Sequence, residues 1–308
     1  MALYITVDGG TTNTRLYFVR DGNVTDTCKL SIGIRAEKAE YRAAIRNAIA
    51  ELLKKQGVTA GDIAQILASG MITSEYGLCH LPHVTLPTGK RELHASMHRE
   101  VFADISEIPW SFIRGARVDA ESFADTDMMR GEETEVVGLF EQIGKEALYI
   151  LPGSHSKHIT VDAEGRITGL RTMMSGELFA AVMQHTILRD AADFTHNTIL
   201  NADLEQGYTF CRANGINEAL FKTRILQTRF GASPEACYSF LLGVILCDEV
   251  QAILNSGAQN VVIGGQAQFK HALAHLLTVY GSQHVEALSD AIVNCSVTLG
   301  AVKIYEAE

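Results

Sequence analysis

The stretch LYITVDGGTTNTRLYFV (residues 3–19) sets one acidic residue, Asp8, and a run of small or polar residues between two apolar segments. Glycines placed just after a strand point to phosphate, yet two familiar phosphate loops do not fit. A P-loop ends in Gly-Lys-Ser/Thr, which is absent here. A dinucleotide fingerprint needs a third spaced glycine opening into a helix. Instead, residues 15–19 (RLYFV) are rich in β-formers and predict a second strand. The stretch reads as a hairpin with Asp8, Gly9, Gly10, Thr11, Thr12 and Asn13 at or beside its tip.

Outward from this hairpin, residues 23–33 continue as a third strand. Residues 36–57 form a helix with Tyr41, Ile45, Ile49, Leu52 and Leu53 on one face and Gly57 as its stop. Residues 62–71 read as a strand reaching a turn at Gly70, and 72–110 as loop-rich. Residues 130–144 (RGEETEVVGLFEQIG) read as a helix that starts acidic and turns apolar. Residues 146–170 then repeat the opening design of strand, glycine-containing polar turn and strand, with a further hairpin at Glu164-Gly165. A helix capped by Ser233, with Pro234 at its first position, runs to Gly257. Residues 260–269 (NVVIGGQAQF) form a buried strand ending in Gly264-Gly265, and the chain closes in a helix. The same design thus occurs twice, half a chain apart, without a low-complexity linker.

The bulk numbers agree with a globular α/β protein. A length of 308 residues favours two lobes, and 47% hydrophobic with 20% charged residues is ordinary for a soluble chain. A net charge of −10 without a long Lys/Arg cluster argues against nucleic-acid binding. No apolar run is long enough for a membrane span. The six cysteines are scattered without a C-x-x-C pair, which suits reduced thiols. Residues 3–7 read as a strand rather than a leader, so the expected location is cytoplasmic. His94/His98 and His271/His275 stand at i,i+4 but lack an intervening acid and a third ligand nearby, and read as ordinary surface or core histidines.

Two hairpin tips can grip a polyphosphate with N–H groups and hydroxyls, and a glycine pair after a buried strand lets a purine approach the backbone. This order of motifs resembles the actin/hexokinase/Hsp70 superfamily of ATP-binding proteins. Within it, VDGGTTNTR (7–15), MRGEET (129–134), LPGSHSKH (151–158), RTMMSGEL (171–178) and VIGGQAQF (262–269) resemble the 2-dehydro-3-deoxygalactonokinase family, essentially end to end. The resemblance implies a two-lobed actin-like ATPase (ribonuclease H-like) fold with duplicated mixed β-sheet lobes around a nucleotide cleft. The lobes are expected at 1–129, with the helix 293–308 packing back onto it, and 130–292.

The resemblance also implies a cytoplasmic kinase that uses ATP and Mg2+ to phosphorylate 2-dehydro-3-deoxy-D-galactonate at its 6-hydroxyl in galactonate catabolism. Asp8 would orient Mg2+ and its water. Gly9, Gly10, Thr11, Thr12, Asn13, Gly153, Ser154, His155 and Ser156 would hold phosphates, and Gly264 and Gly265 the adenosine. Arg15, Gly70, Met71, Arg130, Lys157 and Arg171 would meet the sugar acid. Glu132 or Glu133 would accept the proton of the attacking hydroxyl, with a slight preference for Glu133, although acids in a first helical turn are favoured by the macrodipole alone. The second loop departs from the wider superfamily, with Pro152 near the place of an expected acid. That leaves Asp8 as the main metal-side carboxylate, and Lys157 or His155 to neutralise phosphate or a substrate carboxylate. A solvated strand-end role serves equally for Lys157. Rival readings are another sugar or sugar-acid kinase, an exopolyphosphatase-like phosphohydrolase and a non-enzymatic ATP-binding module. The oligomeric state is left open, a homodimer being one option.

Overall fold

In the computed structural model the described residues are 2–191, 198–265 and 267–307. Residues 192–197 of the long helical region, and Gln266 of the last glycine motif, lie outside them. The chain divides into two compact units, one of residues 1–146, 160–170 and 291–308, the other of 147–159 and 171–290.

The first unit carries a six-stranded sheet. Its spatial order is Asn23–Leu30, Thr14–Arg20, Leu3–Gly9, Gln65–Gly70, Trp110–Phe112 and His98–Glu100. The opening stretch is the expected antiparallel hairpin, with Asp8 opposite Arg15 and Gly9 opposite Thr14. Strand Leu3–Gly9 also pairs in parallel with Gln65–Gly70, setting Gly9 beside Gly70. Six of its seven residues are buried, as a central strand covered on both faces requires. Helix Lys38–Gln56 lays Tyr41, Ile45, Ala48, Ile49 and Leu52 against this sheet's core and ends at Gly57 in the left-handed region. The loop-rich segment expected over 72–110 supplies more than loops, since His98–Glu100 and the start of Trp110–Phe112 lie within it.

Helix Glu132–Ile143 crosses the closing helix Asp290–Tyr305 at two glycines. A methyl at Gly138 would stand 1.9 Å from the Ser296 carbonyl oxygen, and one at Gly300 1.9 Å from that of Thr134. The same closing helix meets the central strand through the Thr6 and Thr298 hydroxyls, 3.1 Å apart. These contacts fix where the acidic start of helix Glu132–Ile143 sits relative to the sheet.

A five-stranded sheet follows the order Ile167–Met173, Ser156–Val161, Ala147–Leu151, Asn260–Ile263 and His284–Ala287, the last three strands running parallel. The first sheet has the same plan: third, second and first strands, then two more parallel to the first. The fold is the expected duplicated α/β architecture. The helix expected from Ser233 to Gly257 is instead two, Pro234–Ile245 and Cys247–Leu254, bent by 45°. Among the described residues no single helix is long and apolar enough to cross a membrane.

Candidate active site

In the first unit the site grows from the end of strand Leu3–Gly9. The hairpin tip closes through the Gly10 N–H, which donates to the Asn13 carbonyl at 2.9 Å. Thr12 and Asn13 are exposed, and Thr11 is half-buried. Asp8 sits just behind this tip, with 23% of its side chain exposed, and accepts a hydrogen bond from Arg15 Nη1 at 3.1 Å. Main chains crowd around it. A methyl at Gly9 would meet Ile72 Cβ at 2.5 Å. Gly70 has φ +84° and Gly131 φ +117°, conformations that only glycine adopts without strain. A methyl at Gly70 would stand 2.9 Å from the Gly9 carbonyl oxygen and 3.4 Å from Asp8 Oδ1, and one at Gly131 would stand 3.2 Å from Gly70 Cα. Three glycines thus bring the ends of two strands and the start of a helix together beside one carboxylate. Met71 follows Gly70 and packs against the unit's hydrophobic core.

The helix start divides its acids by environment. Glu133 has no exposed surface, and both its oxygens accept the Gly131 N–H, at 2.8 and 3.0 Å. Burial, aided by the charge of Glu132, pushes its carboxyl up to about 8. Glu132 is half-buried and accepts the Arg130 N–H at 3.0 Å. Glu135, which the sequence reading passed over, is pushed up to about 8 by burial and by the charges of Glu132 and Asp8, partly offset by Arg15. Burial likewise raises Asp8, against the pull of Arg15 and with a smaller push from Glu132. These couplings place Asp8, Glu132 and Glu135 in one electrostatic cluster. Its signal in the sequence was the i,i+3 spacing of Glu132 and Glu135, which sets both on one helix face.

Arg130, expected to meet substrate, has its guanidinium engaged elsewhere. Nη1 donates to the Thr73 carbonyl and hydroxyl at 2.7 Å each, and Nη2 to the Leu81 carbonyl at 3.2 Å. It braces the loop that follows Gly70. His83, 3.4 Å from Arg130 Nη2, is held down to about 4 by burial and by the charges of Arg130 and Arg117.

The buried acids have a consequence for stability. Folded Glu133 and Glu135 hold protons up to about pH 8, whereas an unfolded glutamate loses its proton near 4.5. Between those values the folded state binds more protons, so stability is full below about 4.5 and falls as pH rises through about 8. Denaturant titrations from pH 5 to 8 should therefore show falling stability. Glu133→Gln should flatten the fall; an equal slope in the variant would contradict the assignment.

In the second unit the polar turn 152–155 lies between two close backbone contacts. Gly265 has φ +69°, and a methyl there would stand 2.5 Å from the Pro152 carbonyl oxygen. On the other side a methyl at Gly176 would stand 2.1 Å from the Gly153 carbonyl oxygen, and the Glu177 N–H donates to the Ser154 carbonyl at 2.9 Å. The Gly264-Gly265 motif, the turn and the start of helix Ser175–His185 therefore come together. Ser154 is exposed, and exposed His155 meets Glu177 at 2.5 Å.

Ser156 departs from its expected phosphate role. Its buried hydroxyl donates to Glu249 Oε1 at 2.5 Å, and His158 Nε2 lies 3.2 Å from the same oxygen. Although burial acts to raise it, the His158 ring and the Ser156 and Ser175 hydroxyls hold the Glu249 carboxyl below its usual range. Glu249 thus ties helix Cys247–Leu254 to the strand after the turn. No sequence motif announced it. Lys157 is buried, which excludes the solvated strand-end reading, and Arg171 is exposed on its strand.

The histidine pairs behave as ordinary residues in most part. His94 Nδ1 lies 3.0 Å from the Ile304 carbonyl oxygen, and His275 pairs with Glu205 at 2.7 Å. His98 stands with Cys79 and Glu100, their ligand-type atoms all within 4.8 Å of one another, a grouping that the sequence spacing did not indicate.

Comparison with known proteins gives a consistent result. Residues 8–298 match the family model described as 2-keto-3-deoxy-galactonokinase. The 2-dehydro-3-deoxygalactonokinase of Escherichia coli (strain K12) is 23% identical over 254 residues, covering 82% of this chain and 80% of that protein. A crystal structure of a protein from Sinorhizobium meliloti, assigned as a 2-dehydro-3-deoxygalactonokinase, superposes with a TM-score of 0.78. It is 23% identical, over 98% of this chain and 99% of the other. The activator of the 2-hydroxyisocaproyl-CoA dehydratase from Clostridium difficile superposes with a TM-score of 0.54 at 12% identity, over 99% and 95% of the chains. The two structural likenesses are of fold, and that fold is the actin-like one.

Proposed function

Because this chain belongs to the 2-keto-3-deoxy-galactonokinase family, we propose that it transfers the γ-phosphoryl group of ATP to the 6-hydroxyl of 2-dehydro-3-deoxy-D-galactonate. The observation that carries this reading is the carboxylate cluster of Asp8, Glu132 and Glu135 behind a polar hairpin tip, with Arg15 as its paired cation.

The donor set fits Mg2+. Partly buried carboxylates, with the charge of Glu132 acting on Asp8 and the charges of Glu132 and Asp8 acting on Glu135, are the hard oxygen ligands that a divalent cation stabilises. Asp8 would hold the ion, directly or through water, with Glu135 near it. When bound, Mg2+ supplies neutralisation of the phosphate charge that builds up during transfer. The chain's own groups do the rest. Backbone N–H groups and hydroxyls of Gly9 to Asn13 bind phosphate oxygens, and Arg15 holds the Asp8 carboxylate in orientation. In the second unit, Gly153, Ser154 and His155 serve as a further phosphate turn, and Gly264 and Gly265 as the approach for adenosine.

Glu132 accepts the proton of the attacking hydroxyl in this reading. Its half-exposed carboxylate supports the role over Glu133, whose enclosed carboxylate fastens the Gly131 N–H and so fixes the helix start. Product analysis tests the proposal. One sugar-acid phosphate ester should form for each ADP released, whereas free phosphate without ester would mark a hydrolase.

A further inference from the structure

Beside the hairpin tip the first unit holds a second feature, a hollow of about 510 Å3 lined by Ile34, Arg35, Ala36, Lys38, Glu75 and Tyr76. That volume lies in the range of small-molecule sites. Both its walls are tied to the Asp8 hairpin. On one side Ile34 N–H donates to the Gly10 carbonyl at 3.2 Å and Arg35 N–H to that of Thr11 at 3.4 Å. Gly33 lies so close that a methyl there would stand 2.6 Å from the carbonyl oxygens of both Gly10 and Thr11. On the other side Glu75 and Tyr76 follow the turn Met71–Thr73, which leaves Gly70 directly beside Asp8.

The charges in this hollow differ from those of the other motif cations in the unit. Arg15 is paired with Asp8, and Arg130 with the Thr73 and Leu81 carbonyls. Arg35 and Lys38 are exposed, and among the described residues neither side chain forms an ion pair. Tyr76 is 62% exposed, which leaves its aromatic face open, and the neighbouring Glu75 carboxylate acts on its hydroxyl. Two unpaired cations, an open aromatic face and one carboxylate with spare acceptor capacity suit a polyhydroxy acid. The cations take its carboxylate, the ring covers its carbon chain, and Glu75 accepts from a hydroxyl.

We infer that this hollow binds the carboxylate end of the sugar acid, with Arg35 and Lys38 as its specificity-determining cations in place of Arg15 and Arg130. The inference rests on the kinase reading above, and it assigns the end of the substrate that does not react. Kinetics and calorimetry of Arg35→Ala, Lys38→Ala and the double variant test it, with 2-dehydro-3-deoxy-D-galactonate and its methyl ester as probes. The double variant should raise the acid's KM by about 100-fold, each single change by about 10-fold, with kcat at saturation and the KM for ATP nearly unchanged. The wild-type preference for the acid over its ester should vanish in the double variant, a readout that a merely structural role would not move. An acid KM within about twofold of wild type would overturn the inference while leaving the kinase reading intact. If the wild type turns over no keto-deoxy acid, that reading falls instead, and calorimetry decides the hollow separately. Acid bound by the wild type and lost in the double variant upholds the site; equal or absent binding refutes it.

Discussion

Asp8→Asn is expected to lower kcat by about 10²-fold or more, with the unfolding transition little changed. The side chain stands at the end of a buried strand but is itself partly open, so its removal leaves no cavity in the core. Asparagine keeps the size of the group and one acceptor for Arg15, and loses the charge that a metal ion would need. It also removes a negative charge that burial disfavours, which offsets the weakened ion pair. The effect should therefore appear in turnover rather than in folding. Steady-state kinetics at saturating MgATP check it, alongside a denaturant titration of the same preparation. Near-wild-type kcat would remove Asp8 from the chemistry, and a collapsed unfolding transition would reassign it to structure.

Glu132→Gln is the second large expected effect, a loss of about 10²-fold or more in kcat with the KM for ATP retained. The amide is the same size and still offers an oxygen to the Arg130 N–H, so the helix start should survive. What it cannot do is accept a proton from the attacking hydroxyl. Glu133→Gln is the internal comparison, because that side chain is enclosed and holds the Gly131 N–H with both oxygens. Its change should show mainly in the pH dependence of stability. Should Glu132→Gln keep full kcat while Glu133→Gln loses it, the roles of the two acids would be exchanged. If both keep full kcat, neither acid takes the proton, and the pair serves only to fasten the helix start.

The parts of the fold that were legible in the sequence are those set by local chemistry. The hairpin over residues 3–19 follows from two apolar, β-former-rich runs separated by a polar turn at Gly9 and Gly10, and the repeat at 146–170 follows from the same rule. Other features depend on which distant segment arrives beside them. The stretch from Ser233 to Gly257 reads as one helix because a cap, a Pro at the first position and a terminal Gly frame it, but the chain bends at Leu246, which is buried in the core. Arg130 looked like a ligand cation because it sits in a motif, yet its partners, Thr73 and Leu81, are more than forty residues away in the chain. Glu249 takes the Ser156 hydroxyl from a helix with no motif of its own. The glycines tell both stories. Their turns were readable, whereas the contact of Gly70 with Gly131 beside Asp8 emerges only when two strands and a helix meet.

The central claim, phosphorylation of an acidic keto-deoxy sugar, is tested most directly by ADP release across a substrate panel. The panel is 2-dehydro-3-deoxy-D-galactonate, its gluconate epimer, galactose and glucose, each compared by kcat/KM. A site built around cations for a carboxylate leaves them unpaired when a neutral sugar binds, which should cost roughly 10²-fold or more in kcat/KM. The galactonate acid should lead the panel, with both hexoses at least that far below it. Comparable values for galactose and the acid would contradict the account.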